Sequence, residues 1–423
     1  MPYYALTCKI LGEKILKYIK TGFKLFVLKT FLLSLAIPIC SAAQKADAVT
    51  LDMKIGQMIM VGFGGLKIDK KNPVVDDIKK RYLGGVILYD YNPNDKGALL
   101  NIESPGQVKA LIAELKSLAE VPLFIAIDYE GGKVSRLKEK YGFPPTLSHK
   151  ALGDMDDPKS TFSHASKMYK TLAELGFNLN FAPVVDMETN LSNPVIAKLD
   201  RSFSADYNKV KKHALQFIRA GRERGVMSTI KHFPGHGSSD KDSHLGLVDV
   251  TKSWHLMELE PFRSLIYSGN ADAVMTAHIF NKRLDPIYPA TLSRATITGI
   301  LREKMRYDGV VISDDMQMKA IADNYGLEQA VLKAIEAGVD ILLFSKNSDK
   351  NGKSIVNKVS SLIRRFVEEG KVSEDRIDSS YKRIMKLKDM IAAKKGEGNE
   401  ALFRSQDGRV FKGGAVGRET KTP

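Results

Sequence analysis

"VMSTIKHFPGHGSSDKDSH", Val226–His244, changes character at its middle. Val226–Phe233 is a short apolar and β-branched run that ends on Lys231, His232 and Phe233. Pro234, Gly235 and Gly237 then bend the chain into a polar loop carrying His236, Asp242 and His244. An apolar strand that opens into a loop bearing reactive side chains at its C-terminal end is the working unit of parallel α/β architecture. Seven other runs repeat the pattern: Ile55–Phe63, Gly84–Asp90, Leu123–Tyr129, Leu179–Asp186, Ala271–His278, Gly309–Asp315 and Val339–Ser345. Amphipathic stretches at helical spacing separate them, among them "GQVKALIAELKSLA" (106–119) and "LEQAVLKAIEAG" (327–338). Eight nearly continuous apolar strands alternating with helices predict a parallel sheet buried on both faces, and the count predicts a (β/α)8 TIM barrel in one catalytic domain over 44–393. No fixed-period repeat points to a solenoid.

Asp128, Asp186, Lys231, His232, His278, Asp314 and Asp315 each end one of these runs. Any one of them could cap a following helix. In a parallel barrel, however, all strand ends meet on one rim, where such folds build their sites.

The bulk numbers fit: 423 residues, 43% hydrophobic and 27% charged, form an ordinary globular balance. The first 43 residues differ. Six lysines from Lys9 to Lys29 precede the apolar run Phe31–Cys40, and Ser41-Ala42-Ala43 follows. A basic start, a short apolar centre and small residues predict a secretory signal peptide cleaved after Ala43, hence an exported, periplasmic or extracellular protein without stable membrane insertion. The run is shorter than the ~20 residues of a spanning helix, and Ile39 is bulky for a lipidated Cys40. Both cysteines, Cys8 and Cys40, lie in this leader, so the mature chain would carry neither a disulfide nor a thiol nucleophile. The net charge of +15 is drawn partly from the leader and from a polar, glycine-rich tail at 394–423, and elsewhere it is dispersed. With no dense basic run interleaved with aromatics, nucleic acid is not an expected partner. A mildly basic surface suits anionic cell-wall polymer.

Three of the 8 histidines fall in the loop around 232–244, which poses a choice between a metal site and proton transfer. Pro234 and Gly235 break the helix that would set His232 and His236 on one face, and no cysteine ligand is at hand. A loop-built site from His232, Asp242 and His244 is the metal alternative; the proton-transfer reading requires no metal and no cofactor. In it Asp242, two residues before His244, accepts that imidazole's proton and raises its basicity. Asp314, in "ISDDM", supplies a strand-end carboxylate for covalent chemistry. A nucleophilic carboxylate facing a proton carrier is the arrangement of a retaining glycosidase, here with histidine in place of a second carboxyl.

"AIDYEGGKVSRL", "LNFAPVVDM", "RSFSAD", "KHFPGHGSSDKDSH", "MTAHI" and "VVISDDMQMKAI" together resemble the successive motifs of glycoside hydrolase family 3, and the Asp-Ser-His loop resembles its β-N-acetylglucosaminidase branch. The resemblance runs from about Leu51 to Leu387. It implies a TIM barrel, a double displacement, and removal of terminal β-linked N-acetylglucosamine from peptidoglycan-derived fragments or related glycans. Residue by residue it implies Asp314 as nucleophile, His244 as acid/base and Asp242 as its partner. It implies substrate binding by Asp128, Arg136, Arg201, Lys231 and His232. Asp315 and Met316 shape the pocket. Two features depart from the family's pattern: Asp200 and Ser204 flank the Arg-Ser-Phe motif, and Lys133 stands where arginine is common. A broad β-glucosidase-like hydrolase, a phosphorylase and a non-catalytic sugar-binding wall protein remain the competing readings.

Overall fold

The computed structural model describes residues 49–69, 71–91, 99–348 and 352–394. The expected leader, Cys8, Cys40 and nearly all of the expected tail lie outside the described residues.

Each of the eight apolar runs contributes one strand to a single parallel sheet. In chain order these are β1 (Ile59–Gly62), β2 (Gly85–Ile87), β3 (Phe124–Ile127), β4 (Leu179–Asn180), β5 (Met227–Phe233), β6 (Ala273–Thr276), β7 (Val310–Ile312) and β8 (Leu342–Phe344). Every residue of these strands is buried, as a sheet covered on both faces requires. Neighbours pair in parallel from β8 through β1 to β7. A parallel bridge from Ile312 to Ile341, with Ser313 N donating to Ile341 O at 2.9 Å, then joins β7 to β8. The sheet is thereby a nearly closed barrel ringed by helices, the TIM-barrel architecture.

Local signals set the helices. α1 (Leu51–Gln57) precedes β1, followed by α2 (Pro73–Arg81), α3 (Pro105–Ser117), α4 (Pro158–Leu175), α5 (Tyr207–Glu223), α6 (Glu260–Tyr267), α7 (Lys319–Ala337), α8 (Ile355–Glu368) and α9 (Glu374–Lys394). Asn72, Ser104 and Asp157 cap α2, α3 and α4 from the residue before a proline, each accepting a first-turn N–H. Proline at that position loses no helical bond, and its fixed φ suits the start. One expected strand is corrected: Ile55–Gln57, read as the start of the first apolar run, belongs to α1, because Thr50 caps that turn through Met53 N. Buried apolar residues lie on this helix too, and a short apolar run does not by itself separate helix from strand.

At the foot of the barrel, Lys388 of α9 donates to Gln57 Oε1 and, at 3.0 Å, to Gly84 O, and it lies over the Phe124 ring. Burial pulls its ammonium down to about 7. At the same end of the barrel, fully buried Asp340 enters β8 ringed by Arg302 (2.6 Å), Arg383 (3.4 Å) and Arg376 (3.6 Å), and accepts from Ser380 Oγ and Val311 N. The foot is stapled, and the opposite rim is where the polar strand ends converge.

Candidate active site

At the C-terminal rim β5 delivers two functional side chains in succession. Its register against β6 slips between Ile230 and Phe233, and both Lys231 and His232 reach polar partners on the rim. Lys231 Nζ lies 2.8 Å from Asp128 Oδ1 and 2.6 Å from Glu130 Oε1. Burial works against its charge, but these two carboxylates outweigh it and raise the ammonium above its ordinary range. Glu130 is itself buried and receives a two-pronged bond from Arg201, Nε and Nη2 each at 2.8 Å. Planar guanidinium-to-carboxylate bonding of this kind fixes direction as well as charge. Against burial, Arg201 and Lys231 hold Glu130 below the ordinary carboxylate range.

From Arg201 the network continues to His232, whose Nε2 is 3.2 Å from Nη2. His232 Nδ1 bonds Asp186 Oδ2 at 2.6 Å, and Asp186 also accepts the backbone N–H of His232 and, at 2.8 Å, of His236. Asp186 therefore fixes which ring nitrogen of His232 faces the pocket. Arg136 crosses to the other side, 3.9 Å from Asp128 Oδ2 and 3.4 Å from buried Asp90, with its guanidinium over the Tyr89 ring. Lys138 bonds the second Asp90 oxygen at 2.6 Å. The five expected substrate-binding residues thus belong to one connected cluster.

Asp314, just beyond β7, is partly exposed and accepts Asp315 N at 2.8 Å. Burial would raise its pKa, but the field of His278, His232 and His244 outweighs that and holds it at about 2. It is an anion at any working pH. Asp315 turns away, accepting from Gln317 N and Ser345 N, and its own carbonyl holds a proton on His278 Nε2 at 2.9 Å.

The Pro234–Leu247 loop has a buried root, through Ser239, and an exposed tip. At the tip Asp242 Oδ1 accepts both the backbone N–H of His244 (2.8 Å) and its ring Nδ1 (2.7 Å). This local turn leaves Nε2 as the ring nitrogen not bonded to Asp242, with His244 66% exposed. The bond to Asp242 raises the His244 pKa, burial opposes it, and the Asp314 charge adds to the rise. His236, buried in the root, is pulled down to about 4 by burial and is a neutral part of the loop. No group of three or more metal-binding side chains is arranged to hold an ion among the described residues.

The two departures noted in the sequence meet each other. Lys133 Nζ lies 2.7 Å from Asp200 Oδ2 and 3.0 Å from Lys198 O, bracing the turn that presents Arg201. Asp200 sits at φ 56°, a left-handed conformation that aspartate tolerates better than most L residues.

Residues 50–387 match the glycosyl hydrolase family 3 N-terminal domain. The chain belongs to glycosyl hydrolase family 3. It is 32% identical over 380 residues to the β-hexosaminidase A of Pseudoalteromonas piscicida, covering 80% of this chain and 61% of that one. It is 35% identical over 294 residues to a β-hexosaminidase of Tolumonas auensis, covering 68% and 83%. Among solved structures, a glycoside hydrolase family 3 β-N-acetylglucosaminidase from Paenibacillus sp. str. FPU-7 superposes with a TM-score of 0.74 at 36% identity, covering 86% of this chain and 66% of that one. The first and third relatives extend well beyond the matched part. As a family 3 glycoside hydrolase, the protein carries its polar clusters on the rim where barrels of this kind work.

Sequence reasoning passed over four members of the site. Glu130, which joins Arg201 to Lys231, sits inside the quoted "IDYEGG" without being singled out. Asp90 and Lys138, which hold Arg136, and Glu258, whose carboxylate meets the root of the His244 loop, were equally silent. Their partners lie 20 to 101 residues away, and no local spacing announces such pairs.

Proposed function

We propose that the protein is a retaining exo-β-N-acetylhexosaminidase that removes terminal β-linked N-acetylglucosamine by way of a glycosyl ester on Asp314. The observation that carries this is the Asp242–His244 pair, held at 2.7 Å on a loop that feels the Asp314 charge. In the first step an Asp314 oxygen attacks the anomeric carbon as the glycosidic C–O bond breaks, and His244 Nε2–H gives its proton to the departing oxygen. In the second, water gives a proton back to Nε2 while its oxygen takes the anomeric carbon and the ester bond to Asp314 breaks. Asp242 holds the proton on Nδ1, so that Nε2 is the atom that trades protons. Asp128, with Lys231 on one oxygen, keeps acceptor capacity for sugar hydroxyls. Arg136, Arg201 and Lys231 supply donors around it, and His232, with its Nδ1 proton held by Asp186, offers Nε2 as an acceptor beside Arg201. The names of the relatives support N-acetylglucosamine as the sugar.

The natural source we propose is peptidoglycan-derived fragments, met outside the cytoplasm. The basic charge and the leader-like first 43 residues support that setting. N-terminal sequencing from the native host tests it: a mature start near Gln44 is expected, and an intact Met1 in the cytosol removes the argument.

The chemistry is tested with paired aryl β-N-acetylglucosaminides and β-glucosides, with and without phosphate, and with intact-protein mass spectrometry of His244→Ala. Preference for the N-acetylated sugar, indifference to phosphate and a trapped sugar mapping to Asp314 are expected. A label on another residue overturns the mechanism; a glucoside preference or a phosphorylated product overturns the substrate class or the reaction type.

A further inference from the structure

The root of the His244 loop is held by side chains that bond its backbone carbonyls and N–H groups. Asn193 Nδ2 donates to His236 O and Gly237 O, Asn190 Nδ2 to Ser239 O, and Trp254 Nε1 to Pro234 O. Two carboxylates take the root's N–H groups: Asp186 accepts His236 N at 2.8 Å, and Glu258 accepts the next two. Glu258, in the short 3-10 turn Leu256–Leu259, is 1% exposed, and its Oε2 accepts Gly237 N at 2.9 Å and Ser238 N at 3.3 Å. Its other oxygen, Oε1, is buried with no hydrogen-bond partner. The packing leaves no slack: a Cβ on Gly235 would come within 2.6 Å of Glu258 Cβ, and one on Gly237 within 1.8 Å of Met187 O. Next to the gripped N–H groups, His236 reaches out of the root, its Nε2 3.3 Å from the hydroxyl of Ser243, the residue between Asp242 and His244.

A neutral side-chain carbonyl would satisfy the same two N–H groups without the cost of burying an ionisable group that leaves one oxygen unpaired. We propose that Glu258 is a positioning residue for the reaction, setting the pose of the Asp242–Ser243–His244 tip by gripping the loop root at Gly237 and Ser238. The path runs from Glu258 through the root to the His236 ring and on to Ser243. Burial, with the Asp186 charge from the loop after β4 adding to it, places the Glu258 carboxyl at about 7. The grip is therefore strongest above that pH, where the group is a carboxylate, and slackens below it. His236, at about 4, stays neutral across the same range.

This inference rests on His244 being the acid/base, and the experiment separates the two claims. Glu258→Ala, Glu258→Gln and His244→Ala are compared with the parent for kcat/KM on an activated aryl N-acetylglucosaminide and on an unactivated disaccharide, across pH 5 to 9, alongside thermal midpoints. Glu258→Ala is expected to lose about ten- to a hundred-fold on the unactivated substrate, the scale of a misplaced catalytic group, and little on the activated one. Glu258→Gln, which keeps a carbonyl acceptor, is expected to recover most of that loss while flattening the decline below pH 7. Equal losses on both substrates, or a Glu258→Gln profile that overlays the parent's, overturn the positioning role. If His244→Ala itself shows no difference between the substrates, the acid/base assignment falls, and the role of Glu258 falls with it.

Discussion

Asp242 and His244 make a pair whose consequences can be read from three residues. Their contact is local, closed by one Asx turn, and needs no other element to form. If His244 must carry a proton to release the leaving group, kcat/KM falls as pH rises through its pKa, which Asp242 raises. Removing that carboxylate lowers the pKa, so Asp242→Ala should shift the basic limb of the profile to lower pH as well as lowering its plateau. An unshifted limb would mean that another group titrates there. The acidic limb should not report Asp314, which at about 2 is ionised throughout. This pair was legible in the sequence because its members are two residues apart and chemically complementary. Glu130 was not, although it stands two residues from Asp128. A carboxylate that touches substrate and one that holds two cations in place carry the same letter class, and only the fold reveals that Arg201 and Lys231 converge on it.

Among the elements, the strands were legible as a set because parallel strands covered on both faces must be apolar nearly throughout, and eight such runs recur with helices between them. Their ends were less so: Ile55–Gln57 went to α1 under the control of the Thr50 cap, a single hydroxyl outweighing an apolar run. The foot of β8 was invisible altogether. There Asp340 answers three guanidinium groups donated by the segment before β7 and by α9. Asp340→Asn leaves them without their buried counter-charge, and a loss of about 3 kcal/mol or more is expected from breaking such a network at one partner. Denaturant unfolding measures it; a change below about 1 kcal/mol would show that the backbone carbonyls around Arg302 and Arg376 suffice. The catalytic face should be unaffected in any fraction that folds, since the network lies at the opposite end of the barrel.

For the molecule as a whole, the foot also contains a proton switch of stability. Lys388 is held at about 7, well under the 10.5 of a free lysine. Between those values the unfolded chain binds the extra proton, so this residue makes stability rise with pH from about 7 toward 10.5, by at most about 1.4 kcal/mol per pH unit, and its full penalty applies below 7. Lys388→Met, which keeps the length and loses the charge, should show a smaller gain in thermal midpoint between pH 7 and 9 than the parent. Parallel curves for the two proteins would show that Gln57 and Gly84 stabilise the ammonium after all.

The exposed tip that carries His244 has one more consequence. Once the first leaving group departs, a sugar esterified to Asp314 would face a proton acceptor standing in bulk solvent, not behind a wall of protein. Any small alcohol can then do what water does: give its proton to His244 Nε2 while its oxygen takes the anomeric carbon and Asp314 is released. On the proposed mechanism such a molecule would pass the sugar to an alcohol as well as to water, in proportion to what is dissolved around it. Increasing methanol should divert a rising share of an activated substrate into the methyl β-glycoside, with the free sugar falling in step. If the free sugar remains the sole product at every methanol concentration, the acceptor's seat is selective for water, and the loop must close over the ester before the second step.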